Sequence, residues 1–419
     1  MMITTTEMVR VFGRIGLLSF GGPAAQIALM HRELVEDRTW LTEAQFLRAL
    51  SFCMLLPGPE AMQLATYAGW KQRGIVGGLI GGGLFVIPGA IVIAILALAY
   101  GAYGSLPWMQ AVFLGVKATV VIIVIEALIK VSKRALKSLK HLVIAALAFV
   151  ALFAFAVPFP LVIAVAAVFG ALGSHATNTA SSVTLPWRQS MVIVAVGGIL
   201  WAIPIGIVAM LDLPLLRDIG LFFSTLAVVT FGGAYAVLAY MTQEVVSGFG
   251  WLTTPQMMDA LGLAETTPGP LILVTQFVGM MAGYLNGGVW TAILAGLITL
   301  WVTFVPCFIW IFAGAPLIDW LDGRPRLTGA LSAITAAVVG VIANLSLWFA
   351  LHVFFGTLTP ITAGPLQLIL PVVSTLQIMP ILIAALAAFL LLARHWGLPL
   401  VLLVCAIVGL LTASIGLPL

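Results

Sequence analysis

The sequence contains very few charged residues. Asp, Glu, Lys and Arg together make up 8% of its 419 residues, against roughly a quarter in an ordinary soluble domain. So few charges cannot cover the surface of a soluble protein of this size, and 62% of the residues are hydrophobic. A spanning helix needs about 20 apolar residues, and the mean hydropathy is +1.20. The composition therefore predicts an all-α polytopic membrane protein and excludes soluble enzymes and nucleic-acid-binding proteins.

Cysteine is scarce as well. The three cysteines, at positions 53, 307 and 405, lie far apart in apolar runs, so neither a disulfide framework nor a metal-ligand spacing is visible. The glycine cluster at 77–83 lacks the Gly-Lys-Ser/Thr ending of a phosphate-binding loop and indicates helix packing instead. No cofactor and no metal site are expected. The N-terminus has no signal-peptide pattern, so the first helix is expected to direct insertion.

An internal repeat is present. Three motifs recur at one offset of 211 residues (231 minus 20, 251 minus 40 and 268 minus 57). They are Phe20-Gly21-Gly22 with Phe231-Gly232-Gly233, Trp40-Leu41-Thr42 with Trp251-Leu252-Thr253, and Pro57-Gly58-Pro59 with Pro268-Gly269-Pro270. A single ungapped offset that carries all three indicates a duplicated unit. The predicted organisation is a first repeat at 1–189, a linker transmembrane helix at 190–211 and a second repeat at 212–419.

Each repeat contains about six apolar segments. They lie near 8–30, 43–71, 74–103, 107–129, 142–157 and 159–173, and again near 217–241, 255–281, 286–318, 327–350, 380–393 and 397–416. If all of them span, a repeat plus the linker makes an odd number of crossings, so the two repeats are expected to be inverted. With the N-terminus inside, most Lys and Arg, including Arg14, fall on the cytoplasmic face, and Arg38 falls outside. The alternative that the Pro-Gly-Pro segments are re-entrant pairs of half-helices stays open.

The Pro-Gly-Pro motifs predict helix breaks at membrane depth. Proline has no N–H and its ring clashes with the preceding turn. Lipid cannot satisfy the freed backbone groups, so such a break must be buried in protein or line a wet cavity, as in the binding sites of secondary transporters. Pro59 and Pro270 suit the first position of a new half-helix, whose N–H groups and positive dipole end favour an anion. The Gly-Gly motifs predict further breaks.

The candidate site residues surround these breaks. The candidates for substrate binding are Gly21, Gly22, Pro23, Gln26, Pro57, Gly58, Pro59, Gln63, Lys117, Gly232, Gly233, Thr266, Thr267, Pro268, Gly269 and Pro270. Glu60, Glu265 and Arg48 are candidates for coupling or gating, because intramembrane charges are usually functional. The alternatives are packing for the glycines, capping for Glu60, snorkelling for Arg48 and pairing of Lys117 with a glutamate. Glu126 and Lys130, four residues apart, predict a local ion pair.

Four stretches closely resemble motifs of the chromate ion transporter family, in its full-length two-domain form. They are Ser19 to Pro23, Trp40-Leu41-Thr42, Leu56 to Tyr67 and Leu263 to Pro270. The resemblance covers nearly the whole chain. It implies a bacterial or archaeal inner-membrane protein that exports chromate, a tetrahedral dianion shaped like sulfate, driven by an ion gradient. The second repeat has Ala234 where the first has Pro23, so any site is asymmetric.

Other functions stay open beside chromate export by alternating access. The protein is alternatively a sulfate or other oxyanion permease or antiporter, and from other classes a passive anion channel or an integral membrane enzyme. The lack of a nucleophile and base set within the apolar segments argues against the enzyme. H+ is the candidate coupling ion. The expected partners are the oxyanion and membrane lipid, without nucleic acid, and a homodimer is left open.

Overall fold

Helices account for nearly all the regular structure. The computed structural model describes residues 3–20, 22–173, 187–229, 231, 234–317 and 325–414. Within these ranges the helices are α1 (Thr5–Leu18), α2 (Gly22–His31), α3 (Glu43–Leu55), α4 (Glu60–Tyr103), α5 (Pro107–Ala135), α6 (Leu139–Phe155), α7 (Phe159–Leu172), α8 (Trp187–Met210), α9 (Pro214–Val229), α10 (Ala234–Gln243), α11 (Thr254–Thr266), α12 (Val274–Gly314), α13 (Pro325–Phe354), α14 (Ile378–Ala388) and α15 (Leu398–Ser414). Shorter turns of helix are Arg32–Glu36, Glu244–Gly248, Leu271–Leu273, Ala315–Leu317, Val373–Thr375 and Phe389–Ala393.

Five of the described helical segments are long and apolar enough to cross a membrane. They are α4, α5, α8, Leu271–Gly314 and Arg326–Phe354, which confirms an all-α polytopic membrane protein. The linker helix expected at 190–211 corresponds to α8. Two reciprocal bonds dock α8 on α12: Trp201 Nε1 donates to Val302 O at 2.9 Å, and Trp301 Nε1 donates to Leu200 O at 3.0 Å.

A small β-hairpin is the one element of another kind among the described residues. Strands β1 (Leu358–Ala363) and β2 (Leu366–Pro371) pair antiparallel around Gly364, whose φ is +61°. The apolar segments predicted from the sequence left 351–379 without an assignment. Thr and Ile residues on either side of a Gly-Pro pair are typical of strands and a turn, so the signal was present in a segment too polar to span.

Helix α4 is a hairpin rather than one straight rod. The chain turns back at Gly74, whose φ is +59°. Residues 60–72 then pack antiparallel against residues 75–103, and a Cβ on Gly77 would collide with the carbonyl of Gly69. Only small residues allow two helix backbones to approach this closely. The predicted boundary between two apolar segments here, and the packing role of the glycine cluster, are both confirmed.

Helix α12 folds back in the same way. Its turn lies at Gly288, whose φ is +72°. Residues 274–286 pack against residues 289–314, where Thr275 Oγ1 lies 3.5 Å from Thr303 Oγ1. The order α1 to α4 therefore recurs as α9 to α12, with α3 and α11 of 13 residues each. The relative orientation of the two repeats stays a prediction.

Polar contacts show that α2 folds back along α1. They also show that residues 60–72 fold back along α3. Arg14 and Arg38 both pair with the buried carboxylate of Glu33, at 3.4 Å for Arg14 Nε. Gln72 Nε2 donates to Trp40 O at 2.6 Å. The start of α3 and the end of residues 60–72 therefore lie together.

The expectation that Arg14 and Arg38 lie on opposite faces of the membrane is wrong, because one carboxylate cannot pair with both across a bilayer. Residues 60–72 and α3 are each about 20 Å long at 1.5 Å per residue, short of the roughly 30 Å hydrocarbon core. The re-entrant alternative is thus the one that the contacts favour for the first repeat. An arrangement in which every predicted segment spans is therefore not the one that the contacts favour.

The chain forms two compact units, and each contains elements from both repeats. One unit comprises residues 1–101, 178–234 and 263–324, with α1 to α4, α8, α9 and α12. Its core includes the fully buried rings of Phe12, Phe85 and Phe277. The other unit comprises residues 102–177, 235–262 and 325–419, with α5 to α7, α10 and α13 to α15.

Candidate functional site

The first Pro-Gly-Pro motif forms a buried break between α3 and α4. Gly58 has φ +114°, a conformation that L side chains rarely adopt. A Cβ there would lie 2.9 Å from both Cys307 Sγ and Gln63 Nε2. Pro59 stands immediately before the helix rather than at its first residue, and its carbonyl accepts from Gln63 N at 3.1 Å. The half-helix predicted after this break is confirmed, with Pro59 shifted outward by one position.

The second Pro-Gly-Pro motif forms the equivalent break before Leu271. Gly269 has φ +89°, and Pro270 again precedes the first helical residue, its carbonyl accepting from Leu273 N at 2.9 Å. The break contacts the end of α1, since Gly269 N donates to Ser19 O at 2.8 Å. A broken helix of one repeat therefore contacts a broken helix of the other.

Both breaks lie against the middle of a long helix arm from the other repeat. A Cβ on Gly89, halfway along residues 75–103, would collide with Pro268 O. Gly58 and Pro59 line a small cavity together with Thr303, near the middle of residues 289–314, and Ile272. Each arm belongs to a helical segment that is long and apolar enough to cross a membrane. The cavity has room for about one water molecule, so an oxyanion needs the break to open.

Three buried glutamines hold this region together. Gln26 Nε2 donates to Gly269 O at 2.7 Å and to Ser19 O at 3.4 Å. Gln63 Nε2 donates to Pro57 O at 2.7 Å, and Gln276 Nε2 to Ala90 O at 3.1 Å. Each amide satisfies a carbonyl that lipid could not.

Gln276 is absent from the sequence-based candidates because it lies six residues beyond Pro270, whereas Gln63 lies four beyond Pro59. Only the fold shows that both amides serve the same region. The Oε1 atoms of Gln63 and Gln276 have no hydrogen-bond partner among the described residues, so each is open to a donor such as water.

The two threonines expected to bind the substrate are engaged with their own helix. Thr266 Oγ1 donates to Leu263 O at 2.7 Å, and Thr267 Oγ1 donates to Ala264 O at 2.9 Å. Their hydroxyl protons are therefore committed to α11 in this arrangement. Either hydroxyl must leave its carbonyl before it can donate to an anion.

The candidate gating residues occupy different environments. Glu60 is half-buried in the first turn of α4, where a carboxylate is stabilised by the helix dipole. Glu265 is 8% exposed near the end of α11. Arg48 lies on the exposed side of α3.

Pro23 and Gly22 form the first turn of α2, and Gly22 has φ +78°. Gly21, Gly232 and Gly233 lie outside the described residues.

Lys117 pairs with an aspartate. Its Nζ lies 3.0 Å from Asp259 Oδ1, and the two side chains are 20% and 7% exposed. Both belong to the unit built from α5 and most of α11. The carboxylate partner expected for Lys117 was a glutamate, and the structure corrects this to Asp259. The predicted pair of Glu126 and Lys130 is confirmed at 2.6 Å.

A charged cluster follows α2. His31 Nδ1 lies 3.1 Å from Glu36 Oε1, and its Nε2 lies 2.6 Å from Glu43 Oε2. The hydrogen bond with Glu43 raises the pKa of His31 most, burial opposes this, and Glu36 adds to the increase. His31 is thus expected to carry a positive charge over a wider pH range than a free imidazole.

No metal-binding arrangement is present in the described part of the chain: no three His, Cys, Asp or Glu side chains group together. Cys53, Cys307 and Cys405 are buried free thiols. The breaks therefore offer backbone N–H groups, amides and carboxylates as their polar groups. These features define the class of the protein as a polytopic membrane protein whose helices are broken at the two Pro-Gly-Pro motifs.

Comparison with known proteins identifies the family. The chromate transporter profile matches residues 6–171 and 217–410. This protein therefore belongs to the chromate transporter family. A chromate transport protein of Cupriavidus metallidurans is 32% identical over 81% of each chain.

Two further relatives have similar names. A probable chromate transport protein of Synechococcus elongatus is 28% identical over 81% of this chain and 82% of its own. A chromate transport protein of Pseudomonas aeruginosa is 31% identical over 79% of this chain and 77% of its own. No solved structure matches this chain.

Proposed function

We propose that this protein exports chromate across the inner membrane of a bacterium or archaeon, as a secondary active transporter. The observation that carries the proposal is the reciprocal packing of the two breaks. Pro268 lies against Gly89 in the middle of one long arm, and Gly58 lines a cavity with Thr303 in the middle of the other. Family membership and the names of the relatives support chromate as the substrate.

The chemistry of the breaks suits a tetrahedral oxyanion. The first N–H groups after Pro59 and Pro270 have no partner within their own helices, and the positive ends of the helix dipoles favour negative charge. The buried glutamines fix the break geometry without adding charge.

The size of the cavity supports alternating access. The space beside Gly58 holds about one water, so the oxyanion enters only when a break moves away from the long arm behind it. Two such breaks allow the site to open to one face at a time. Glu60 and Glu265 serve as gates in this scheme, because each carboxylate disfavours an anion until it is neutralised or paired.

The experiment is chromate uptake into inverted membrane vesicles, with and without a proton gradient and with competing sulfate. Uptake that needs the protein and a gradient supports secondary active export. Strong competition by sulfate would instead favour a general oxyanion permease, and gradient-independent flux would favour a channel. The transport-deficient control is Gly58→Leu, which is expected to insert into the membrane but not to transport.

A further inference from the structure

An apolar groove lies between α6 and α7, in the compact unit that contains α5 to α7 and α13 to α15. Its volume is about 530 Å³, within the range of about 300–1,000 Å³ that is common for ligand-binding pockets. Every residue that lines it belongs to this one unit. We propose that the groove binds an acyl chain of an anionic phospholipid, whose phosphate is held by Lys140 and the basic residues around it.

The groove exists because α6 and α7 each pack along α13 far more than on each other. A Cβ on Gly340 of α13 would collide with Ala145 O of α6, and a Cβ on Gly170 of α7 would collide with Gly329 O of α13. Small residues permit both of these close approaches. The space left between α6 and α7 therefore has α13 beneath it, and Ala337 of α13 contributes to its floor.

Two rows of apolar side chains form the walls of the groove. Residues four apart lie on one face of a helix, and the exposed members of these rows are Leu139, Val143 and Leu147 on α6 and Leu161, Val165 and Phe169 on α7. The row on α6 continues to Ala151, so it extends for about 18 Å at 1.5 Å per residue. One leaflet contributes about 15 Å of hydrocarbon, half of the bilayer core. The groove is thus long enough for one acyl chain.

Positive charge lies at one end of the groove. Lys140, in the first turn of α6, is the one polar side chain among the described residues that line it. Arg326, in the first turn of α13, lies at the same end, because Ser332 Oγ of α13 is 3.2 Å from His141 Nε2, next to Lys140. A candidate span begins at Arg326. This end of the groove is therefore the one at the membrane surface, where a phosphate lies.

Acidic residues do not balance this charge locally. Further exposed basic residues precede Lys140 at positions 133, 134 and 137, whereas the sequence from 127 to 211 contains no Asp or Glu. The nearest preceding acid, Glu126, pairs with Lys130. Basic segments beside a membrane span attract anionic headgroups. An apolar groove of leaflet length with cations at its surface end matches the two parts of an anionic phospholipid.

A second copy of this chain fits the groove less well. A two-fold contact brings the same patch of both chains together, so it would place the basic residues at the end of one groove beside those of the other. An uncharged apolar ligand would leave Lys140 without a counterion. The charge at the groove end therefore favours the anionic phospholipid over both.

The test is native mass spectrometry of the purified protein in detergent, with equal amounts of dioleoylphosphatidylglycerol and dioleoylphosphatidylcholine. The two lipids have the same acyl chains and differ in headgroup charge, so we expect one phosphatidylglycerol per chain to be retained in preference to phosphatidylcholine. Lys140→Gln should reduce this preference about fivefold. The matched control is Lys71→Gln, which removes an exposed lysine that does not line the groove and should keep the preference.

A second pair of variants tests the groove itself. Val165→Trp places a ring between the two rows and should abolish retention of phosphatidylglycerol. Val168→Trp is its control, because Val168 lies on the same helix and is 59% exposed, against 60% for Val165, but does not line the groove.

Three results would overturn the inference. They are equal retention of the two lipids by the unmodified protein, an unchanged preference in Lys140→Gln, and equal retention of phosphatidylglycerol by the two tryptophan variants. If Val165→Trp changes the number of chains in the complex and leaves phosphatidylglycerol bound, a second copy covers the groove, which also overturns it. None of these outcomes depends on chromate transport, so the proposed function is tested separately.

Discussion

Gln26 Nε2 donates a hydrogen bond of 2.7 Å to Gly269 O, although the two residues belong to different repeats. Gln26 is 2% exposed, so Gln26→Leu leaves a buried carbonyl without its donor. Such a loss costs about 1–3 kcal/mol. We expect a lower thermal midpoint for the purified protein and slower chromate uptake. Gln45→Ala, which removes an exposed capping amide of α3, is the matched control and should change both much less.

Leucine at either break glycine should stop transport. Gly58 and Gly269 have positive φ, and a Cβ on Gly58 would lie 2.9 Å from Cys307 Sγ. The backbone penalty alone is about 1–2 kcal/mol, and overpacking adds to it. Gly58→Leu and Gly269→Leu should insert into the membrane but transport at a background rate. The control is Gly206→Leu in α8, where nothing lies within 4 Å of the added Cβ. Normal uptake by both break variants would show that the breaks serve helix packing and not transport.

Cysteine labelling tests the arrangement of the re-entrant segments. The contacts place Asp37 and Lys71 at the same membrane face, because the loop after α2 bonds to the end of residues 60–72. We expect Asp37→Cys and Lys71→Cys to react with an impermeant maleimide from one side. If the repeats are inverted, Ser247→Cys should react from the other side. The three native cysteines are buried and provide a low background. Labelling of Asp37→Cys and Ser247→Cys from one side would end the inverted-repeat prediction.

Neutralising the carboxylates at the breaks should act on affinity rather than on proton coupling. Glu60 and Glu265 lie beside breaks expected to receive a dianion, where like charge is unfavourable in a poorly solvated site. Glu60→Gln and Glu265→Gln should therefore bind chromate more tightly and release it more slowly. Their uptake should keep its response to a pH difference, which is the measurement. Loss of that response in either variant would identify that carboxylate as the coupling group.

The His31 cluster should make stability depend on pH. Glu43 and Glu36 raise the pKa of His31 above 6.5, so protonated His31 stabilises the folded state. That contribution is fully present below the unfolded pKa and is lost as pH rises through the raised pKa. His31→Gln should lower the thermal midpoint relative to wild type at about pH 5.5 but hardly at about pH 8.5. An equal difference at both pH values would show that the charge of His31 is not involved.

The motifs predicted the breaks well because proline and glycine act locally. Pro57 to Pro59 and Pro268 to Pro270 end one helix and begin another wherever they occur in an apolar run, since the missing N–H and the permitted positive φ are properties of the residues themselves. The boundary between the predicted segments 43–71 and 74–103 was predictable for the same reason, since it falls at Gly74, whose φ is positive.

Relations across the chain were not predictable in the same way. The sequence showed Arg14 and Arg38 as topology signals, yet both pair with Glu33 because α1 and α2 fold back. Hydropathy cannot distinguish a spanning segment from two short helices joined by a turn. Likewise Asp259, at the repeat position of Arg48, pairs with Lys117, which no motif indicated. Which charges meet depends on helix packing, which a motif does not encode.

The backbone contact between Gly69 and Gly77 has a mechanical consequence. Because no side chains separate the two helix backbones there, residues 60–72 and 75–103 are expected to move as one rigid body. Gly58 lies next to one end of this rigid body, and Gly89 in its middle packs against Pro268. A displacement that opens the first break therefore shifts the support of the second. If transport proceeds as proposed, the two breaks cannot open independently, and this linkage would protect the membrane against a continuous leak of small anions.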